Sequence, residues 1–331
     1  MRKKLLVSMI ALTLSLVGCS SVVNQKENDL IVYTANSEDV YEPIVSAFEE
    51  KTNINVYIIT GGTGTLLSKI EGEKDNPIAD VMWGGSIPNL QPKGEFFDTY
   101  ISKNEENIYE DYKNKDGKIT RFTVNPSVII VNEDILNGIK VEGFEDLLNP
   151  SLKGKIIAAN PSKSSSAYEQ LINQLYAMGN GNPDDGWSYE EKLVDNIDIT
   201  NSSSNVYKSV VNGDYAVGLT YEGPAIKCSR ENKNIKVIYP KEGTIANADG
   251  VAILKNSRQR ENAEKFIDYI TSSEVQDMVE KNNNRRSVRK DTENSDIMKK
   301  LKEINIIHDD SEWVTNNKQA ILEKFNDCID K

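Results

Sequence analysis

Two short runs in this 331-residue sequence set glycine and small hydroxyl side chains where a helix is expected to begin. The first is Thr60-Gly61-Gly62-Thr63-Gly64-Thr65, between a predicted strand and a predicted helix. Glycine lets backbone approach a ligand closely. The first turn of the following helix offers free N–H groups and a partial positive charge, which suit an anion. Thr63 and Thr65 add hydroxyl donors. No Gly-Lys-Ser/Thr follows, so the run is not a Walker loop; a glycine-rich turn with a threonine helix cap is the plainer alternative. The second run is Asn160-Pro161-Ser162-Lys163-Ser164-Ser165-Ser166-Ala167-Tyr168, again after a strand. One serine can cap a helix. Ser164, Ser165 and Ser166 beside Lys163 exceed what a cap needs and suit an oxyanion. If a cleft brings Gly62, Thr63, Gly64 and Thr65 to face these serines, the two runs would grip one phosphate-like group from opposite sides.

Three further stretches are candidates. Trp83-Gly84-Gly85-Ser86 ends a predicted strand; Trp83 reads as core, while Gly85 and Ser86 open space toward a crevice. In Thr220-Tyr221-Glu222-Gly223-Pro224 a strand gives way to a helix, with proline at an early helical position. Tyr221 and Glu222 are expected at a cleft rim, where a carboxylate reads an amine or sugar hydroxyls, unless Glu222 only favours the helix N-terminus. Asp249, in Asn247-Ala248-Asp249-Gly250, is a second acidic candidate, or part of a turn. Catalysis finds little support, for the sequence shows no Gly-x-Ser-x-Gly elbow and no Cys/His pair. His308 reads as a surface residue, and Arg285, Arg286, Arg289 and Lys290 as a solvated charged face. With no CxxC and one histidine, no zinc or haem constellation is visible, and no cofactor is expected.

These runs need a scaffold. Short β-branched segments alternate with helical periodicity. Strands are expected over 30–34, 56–60 and 79–83, with helices over 40–51 and 64–74. After a loop-rich acidic stretch, 122–132 reads as a crossing strand. Strand 156–159, helices 165–178, 189–195 and 205–212, and strands 216–220 and 235–239 follow. Strand 250–254 then leads into helices 260–271 and 273–281. Such alternation argues for α/β lobes with parallel sheets, whose ligands sit beyond the carboxyl ends of strands. The expected division is a first lobe over 29–125, a second over 126–245, then a return to the first lobe with C-terminal helices over 246–331.

Acidic residues outnumber basic ones, 51 to 39, for a net charge of −12. That argues against a nucleic-acid partner, although a site within an acidic protein can be locally positive. Arg2, Lys3 and Lys4 precede a mostly apolar run over 5–17, the form of an export signal. The run is short for a span, which needs roughly 20 apolar residues. Leu16-Val17-Gly18-Cys19 resembles the bacterial lipobox, so the expectation is a signal over 1–18, lipid on Cys19, a tether over 19–28, and a place outside the cytoplasm. Cys228 and Cys328 are either two thiols or a disulfide, with nothing in the spacing to decide.

Ile31-Val32-Tyr33-Thr34, Phe48-Glu49-Glu50-Lys51-Thr52, Ala79-Asp80-Val81-Met82-Trp83-Gly84-Gly85 and Gly213-Asp214-Tyr215-Ala216-Val217-Gly218-Leu219 resemble extracellular solute-binding proteins of ABC importers. The group is the one holding ferric-ion, 2-aminoethylphosphonate and hexose-phosphate binders. The resemblance implies a type II periplasmic-binding-protein-like fold: two hinged lobes around a ligand cleft. It also implies a monomeric, non-enzymatic receptor that delivers a small solute to a membrane permease and its ATPase. Ferric members place a histidine, a glutamate and adjacent tyrosines where this chain has Ser37, Gly85 and Tyr221-Glu222-Gly223. Fe³⁺ wants several anionic donors, and one phenolate with one carboxylate falls short. The serines at 164–166 match the place where family members hold an oxyanion. The implied ligand is therefore a small phosphonate or phosphate ester, with ferric ion the alternative.

Overall fold

The computed structural model describes residues 28–292 and 298–330; the expected signal, Cys19 and nearly all of the tether lie outside them. The first lobe opens with β1 (Asp29–Thr34), α1 (Glu38–Thr52), β2 (Asn55–Thr60), α2 (Thr63–Gly72), β3 (Val81–Ser86) and α3 (Ile87–Leu90). Short 3-10 turns lead to β4 (Thr120–Asn132) and the second lobe. That lobe holds α4 (Glu133–Leu136), β5 (Ile156–Ala159), α5 (Ser165–Met178), α6 (Trp187–Leu193), β6 (Ile197–Thr200), α7 (Ser203–Asn212), β7 (Val217–Tyr221), α8 (Glu222–Glu231) and β8 (Ile235–Ile238). The chain returns through β9 (Thr244–Ile253), α9 (Arg260–Ile270), α10 (Ser273–Asn283) and β10 (Arg286–Ser287), and ends in β11 (Ile306–Ile307), α11 (Ser311–Asn316) and α12 (Lys318–Ile329).

Two strands carry both lobes. β4 pairs with β9 as far as Pro126 and with β7 from Ser127 onward, so the exchange of partners falls at one peptide bond. In the first lobe β1 runs parallel to β2 and β3, and β9 lies antiparallel to β3. In the second, β5 runs parallel to β6 and β7, with β7 and β8 antiparallel to β4. The expected strand at 250–254 begins earlier, at Thr244. The stretch with Asn247 and Asp249, an acidic candidate or else a turn by sequence, belongs to this strand, and Asp249 lines the space between the lobes.

Hydrophobic periodicity explains the layers. Val40, Ile44 and Phe48 of α1 join Phe266, Ile267 and Ile270 of α9 on one face of the first sheet. Leu66, Leu67 and Ile70 of α2 cover the other face. Trp83 is fully buried, edge-on to Phe122 and Phe266 at 5.3 and 5.4 Å, as a core tryptophan should be. The second sheet lies between a cluster containing Phe144, Leu147 and Leu193 and one containing Val206, Val210 and Ala225. Ile321, Phe325 and Cys328 of α12 pack on Leu171 and Leu175 of α5 and Trp187 of α6. The last helix therefore rests on the second lobe. Cys228 and Cys328 are not joined in a disulfide.

Candidate functional site

A cavity of about 600 Å³ lies between the lobes. Its walls come from the segments that directly follow β1 and β2 and from the end of β3 in one lobe, and from the segments that directly follow β5 and β6 and from the end of β7 in the other. All six strand ends point the same way, inward, which is where α/β sheets place ligands.

Three helices present their N-termini to this space. α2 begins after Gly62, α5 after Ser164 and α7 after Ser202. Gly62 has no side chain with which to cap α2, and Ser202 makes no side-chain cap to α7. Ser164 does cap α5, accepting from the Ala167 N–H at 3.3 Å, and its hydroxyl lies 3.1 Å from that of Ser166. The earlier N–H groups of α5 keep no intrahelical acceptor, by the geometry of any helix start. Each dipole adds roughly half a positive charge at its N-terminus.

Close packing holds these ends in place. Gly84 and Gly85 have positive φ, 99° and 92°, at an irregularity in the β3–β9 ladder. A Cβ on Gly85 would lie 2.5 Å from Cγ2 of Thr63, so only glycine lets the end of β3 pass beside the start of α2. On the other side, the Gln170 amide donates to the carbonyl oxygens of Val128, at 2.8 Å, and Thr220. This pins α5 to β4 and β7.

At the cavity floor, Arg285 Nη1 donates to Asn36 Oδ1 at 3.0 Å and to Asp249 Oδ2 at 3.1 Å. Asn125 donates to the same Asp249 oxygen at 2.6 Å. Burial raises the Asp249 pKa, while Arg285, Asn125 and Thr123 oppose that shift. Burial likewise raises the Tyr221 phenol, with Arg285 pulling the other way. Glu169, one turn into α5, is pushed up to about 7 by burial, against a hydrogen bond with the Ser86 side chain. Burial lowers the Lys318 ammonium, which donates to Asn89 Oδ1 at 3.1 Å.

Gly62, Thr63, Gly64, Thr65, Gly85, Ser86, Ser164, Ser165, Ser166, Tyr221 and Asp249 all line this one cavity. Ser37 and Glu222 do not. Ser37 precedes α1 and is exposed, while its neighbour Asn36 supplies the side chain that faces inward. Glu222 turns away from the cleft and is 1% exposed. Both its oxygens accept from Arg286, Oε2 from Nε at 2.7 Å and Oε1 from Nη2 at 2.6 Å, and Oε1 also accepts from the Tyr239 hydroxyl. Burial raises its pKa, against Arg286 and Tyr239. Buried, engaged by Arg286 and Tyr239 and outside the cavity lining, Glu222 does not stand at the cleft rim where the sequence put it.

The arginine cluster also departs from a solvated face. Arg285 lines the cavity, and Arg286 and Arg289 are buried at 6% and 5% exposed; Lys290 alone of the four is exposed. Sequence reasoning passed over Asn36, Asn125, Glu169, Arg285 and Lys318, and the Asn201-Ser202-Ser203 start of α7. The last carried a usable signal, a serine run after a strand like that at 164–166.

Two α/β lobes, two crossing strands and a polar cavity at the strand ends define a periplasmic-type receptor for a solute. Residues 30–282 match the bacterial extracellular solute-binding proteins, and the chain belongs to that family. The periplasmic binding protein AfuA of Actinobacillus pleuropneumoniae, with exogenous fructose-6-phosphate bound, superposes with a TM-score of 0.82 at 25% identity, over 91% of this chain and 98% of that one. An uncharacterized protein of Haemophilus influenzae is 26% identical over 89% of each chain. Iron uptake protein A1 of a Synechocystis species is 26% identical over 78% of this chain and 75% of its own. Proteins of this kind are extracytoplasmic substrate-binding components of ABC importers.

Proposed function

We propose that this protein captures a small phosphonate or phosphate ester and delivers it to the permease and ATPase of an ABC importer, without chemistry of its own. The observation that carries this reading is the convergence of the α2, α5 and α7 N-termini on one cavity. Three helix N-termini, two of them without a side-chain cap, with threonine and serine hydroxyls beside them suit a compact, multiply charged oxyanion. Arg285, held by Asn36 and Asp249, brings a guanidinium to the floor, its charge matched in part by the Asp249 carboxylate. The lobes meet through β4 and β9, so rotation about these strands would close the α2 start of one lobe and the α5 and α7 starts of the other on the anion. In this reading Cys19 carries the lipid that keeps the receptor at the cell membrane, and the receptor works as a monomer.

Ferric ion is the second reading, favoured by the likeness to iron uptake protein A1. Against it, no group of three or more His, Cys, Asp and Glu side chains gathers among the described residues. Burial raises the Tyr221 phenol, which opposes a phenolate ligand. Asp249 already accepts from Arg285 and Asn125.

A thermal-shift screen separates the two. A ligand at a hundredfold excess over its Kd stabilises by about 2.7 kcal/mol. The expected result is a rise in Tm with 2-aminoethylphosphonate or a hexose phosphate and none with ferric citrate. A visible charge-transfer band on adding Fe³⁺ would mean a tyrosinate ligand and would reverse the ranking.

A further inference from the structure

Behind Glu169 the cleft continues into a second chamber of about 270 Å³. Gly64, Ser165, Tyr168, Glu169 and Lys318 line both spaces, so the chamber opens directly off the anion-facing ends of α2 and α5. Its flanks are apolar, with Leu67, Pro88, Ile172 and Val314. Its charged lining residues are Glu169, Asp309, Lys318 and Lys93, with Asn89, Asn247 and Thr315 among the uncharged polar ones. Ser165 and Glu169 are four residues apart on one helix face, with the backbone of Glu169 about 6 Å farther along α5 than that of the serine.

The charges in this chamber do not balance. Lys93 pairs with Glu71 outside it, at 2.7 Å. Lys318 interacts with Glu169, but its ammonium donates to Asn89 at 3.1 Å and lies 4.8 Å from the Tyr168 ring centroid. Two carboxylates against that one lysine leave room for a further positive charge, and apolar walls suit a short methylene chain leading to it.

We propose that this chamber is a subsite for an ammonium group at the far end of the ligand, which makes the ligand an aminoalkyl phosphonate or phosphate longer than the aminoethyl compound. The proposal rests on the reading that α2 and α5 hold the phosphorus-bearing end. An ammonium seated between Glu169 and Asp309 completes the charge pairing that Lys318 only half supplies. Burial raises both carboxyl groups, Glu169 to about 7, and a bound cation would hold both ionised. Asp249 and Asp309 push Glu169 further up, while Ser86 and Lys318 pull it down. For Asp309, His308 pulls down and Asp310 pushes up.

Calorimetric titration of the whole chain with butylphosphonate, 2-aminoethylphosphonate and 4-aminobutylphosphonate tests the subsite. The aminobutyl compound is expected to bind at least about tenfold tighter than butylphosphonate, the return on a charge-assisted hydrogen bond in a poorly solvated site. It should also outbind the aminoethyl compound. In Glu169→Gln, and separately in Asp309→Asn, the ratio between aminobutyl and butyl affinities should fall to about threefold or less. Equal affinity of the butyl and aminobutyl compounds in the parent would overturn the subsite and leave the anion grip standing. A ratio preserved in both variants would do the same. Binding of none of the three would overturn the phosphonate reading itself.

Discussion

Replacing Glu222 with glutamine keeps the shape of the side chain and removes its charge, which leaves the Arg286 guanidinium buried beside a neutral amide. Glu222 opens α8 in the second lobe, while Arg286 lies in β10, paired to the first-lobe half of β4. The pair therefore ties the lobes together beside the hinge. Both side chains are almost fully buried, 7% and 1% exposed, so solvent screening offers little relief. Breaking such a pair by neutralising one partner costs about 3–5 kcal/mol. Unfolding entropy near 2.1 cal/mol/K per residue comes to about 0.6 kcal/mol/K for roughly 300 residues, so Tm should fall by about 5–8 °C. Differential scanning calorimetry reads that fall, and a titration with the best-binding phosphonate reads affinity in the same sample. The expected result is a large loss of stability with affinity changed less than about threefold. An unchanged Tm with a tenfold loss of affinity would show that Glu222 contacts the ligand and that the internal ion pair is misassigned.

Ser165→Ala combined with Ser166→Ala should weaken phosphonate binding at least about tenfold, through lost hydroxyl contacts, with Tm held within a degree or two; calorimetric titration and thermal melting read both. Gly85→Ala should lower both affinity and Tm, because its Cβ would lie 2.5 Å from Thr63 Cγ2 at a φ of 92°; an ordinary Tm and affinity would count against the proposed packing. Glu190 is raised to about 8 by burial alone, so the folded state holds a proton that the unfolded chain releases near pH 4. Stability contributed there falls as pH rises from about 4 through 8. Glu190→Gln should therefore gain on the parent in Tm as pH goes from 5 to 8, and parallel curves would refute the buried neutral acid.

Much of this molecule is legible where local and tertiary demands agree. The run at 165–178 forms a helix over those residues because its capping serine and its apolar face point to the same element. The strand at 156–159 is bounded as expected by its β-branched run. The glycine–threonine and serine runs share a cavity because strand-to-helix turns in parallel sheets all open on the same side. What escaped depends on contacts distant in sequence. Arg285 follows a helix of the first lobe and looks like any surface arginine until β9 brings Asp249, and the turn after β1 brings Asn36, beside it. Glu222 looks like a cleft residue until Arg286, 64 positions later, reaches it. Lys318 enters the cavity only because α12 packs across α5 and α6. No periodicity encodes such meetings.

The most direct measurement is a crystal structure of the protein with the tightest-binding phosphonate at saturating concentration, with the phosphorus located from its density. The phosphonate oxygens should lie within about 3 Å of main-chain N–H groups at the starts of both α2 and α5, with the lobes closed over them. A phosphonate bound outside the space between Thr63 and Ser165, or held by one lobe alone, would contradict that arrangement.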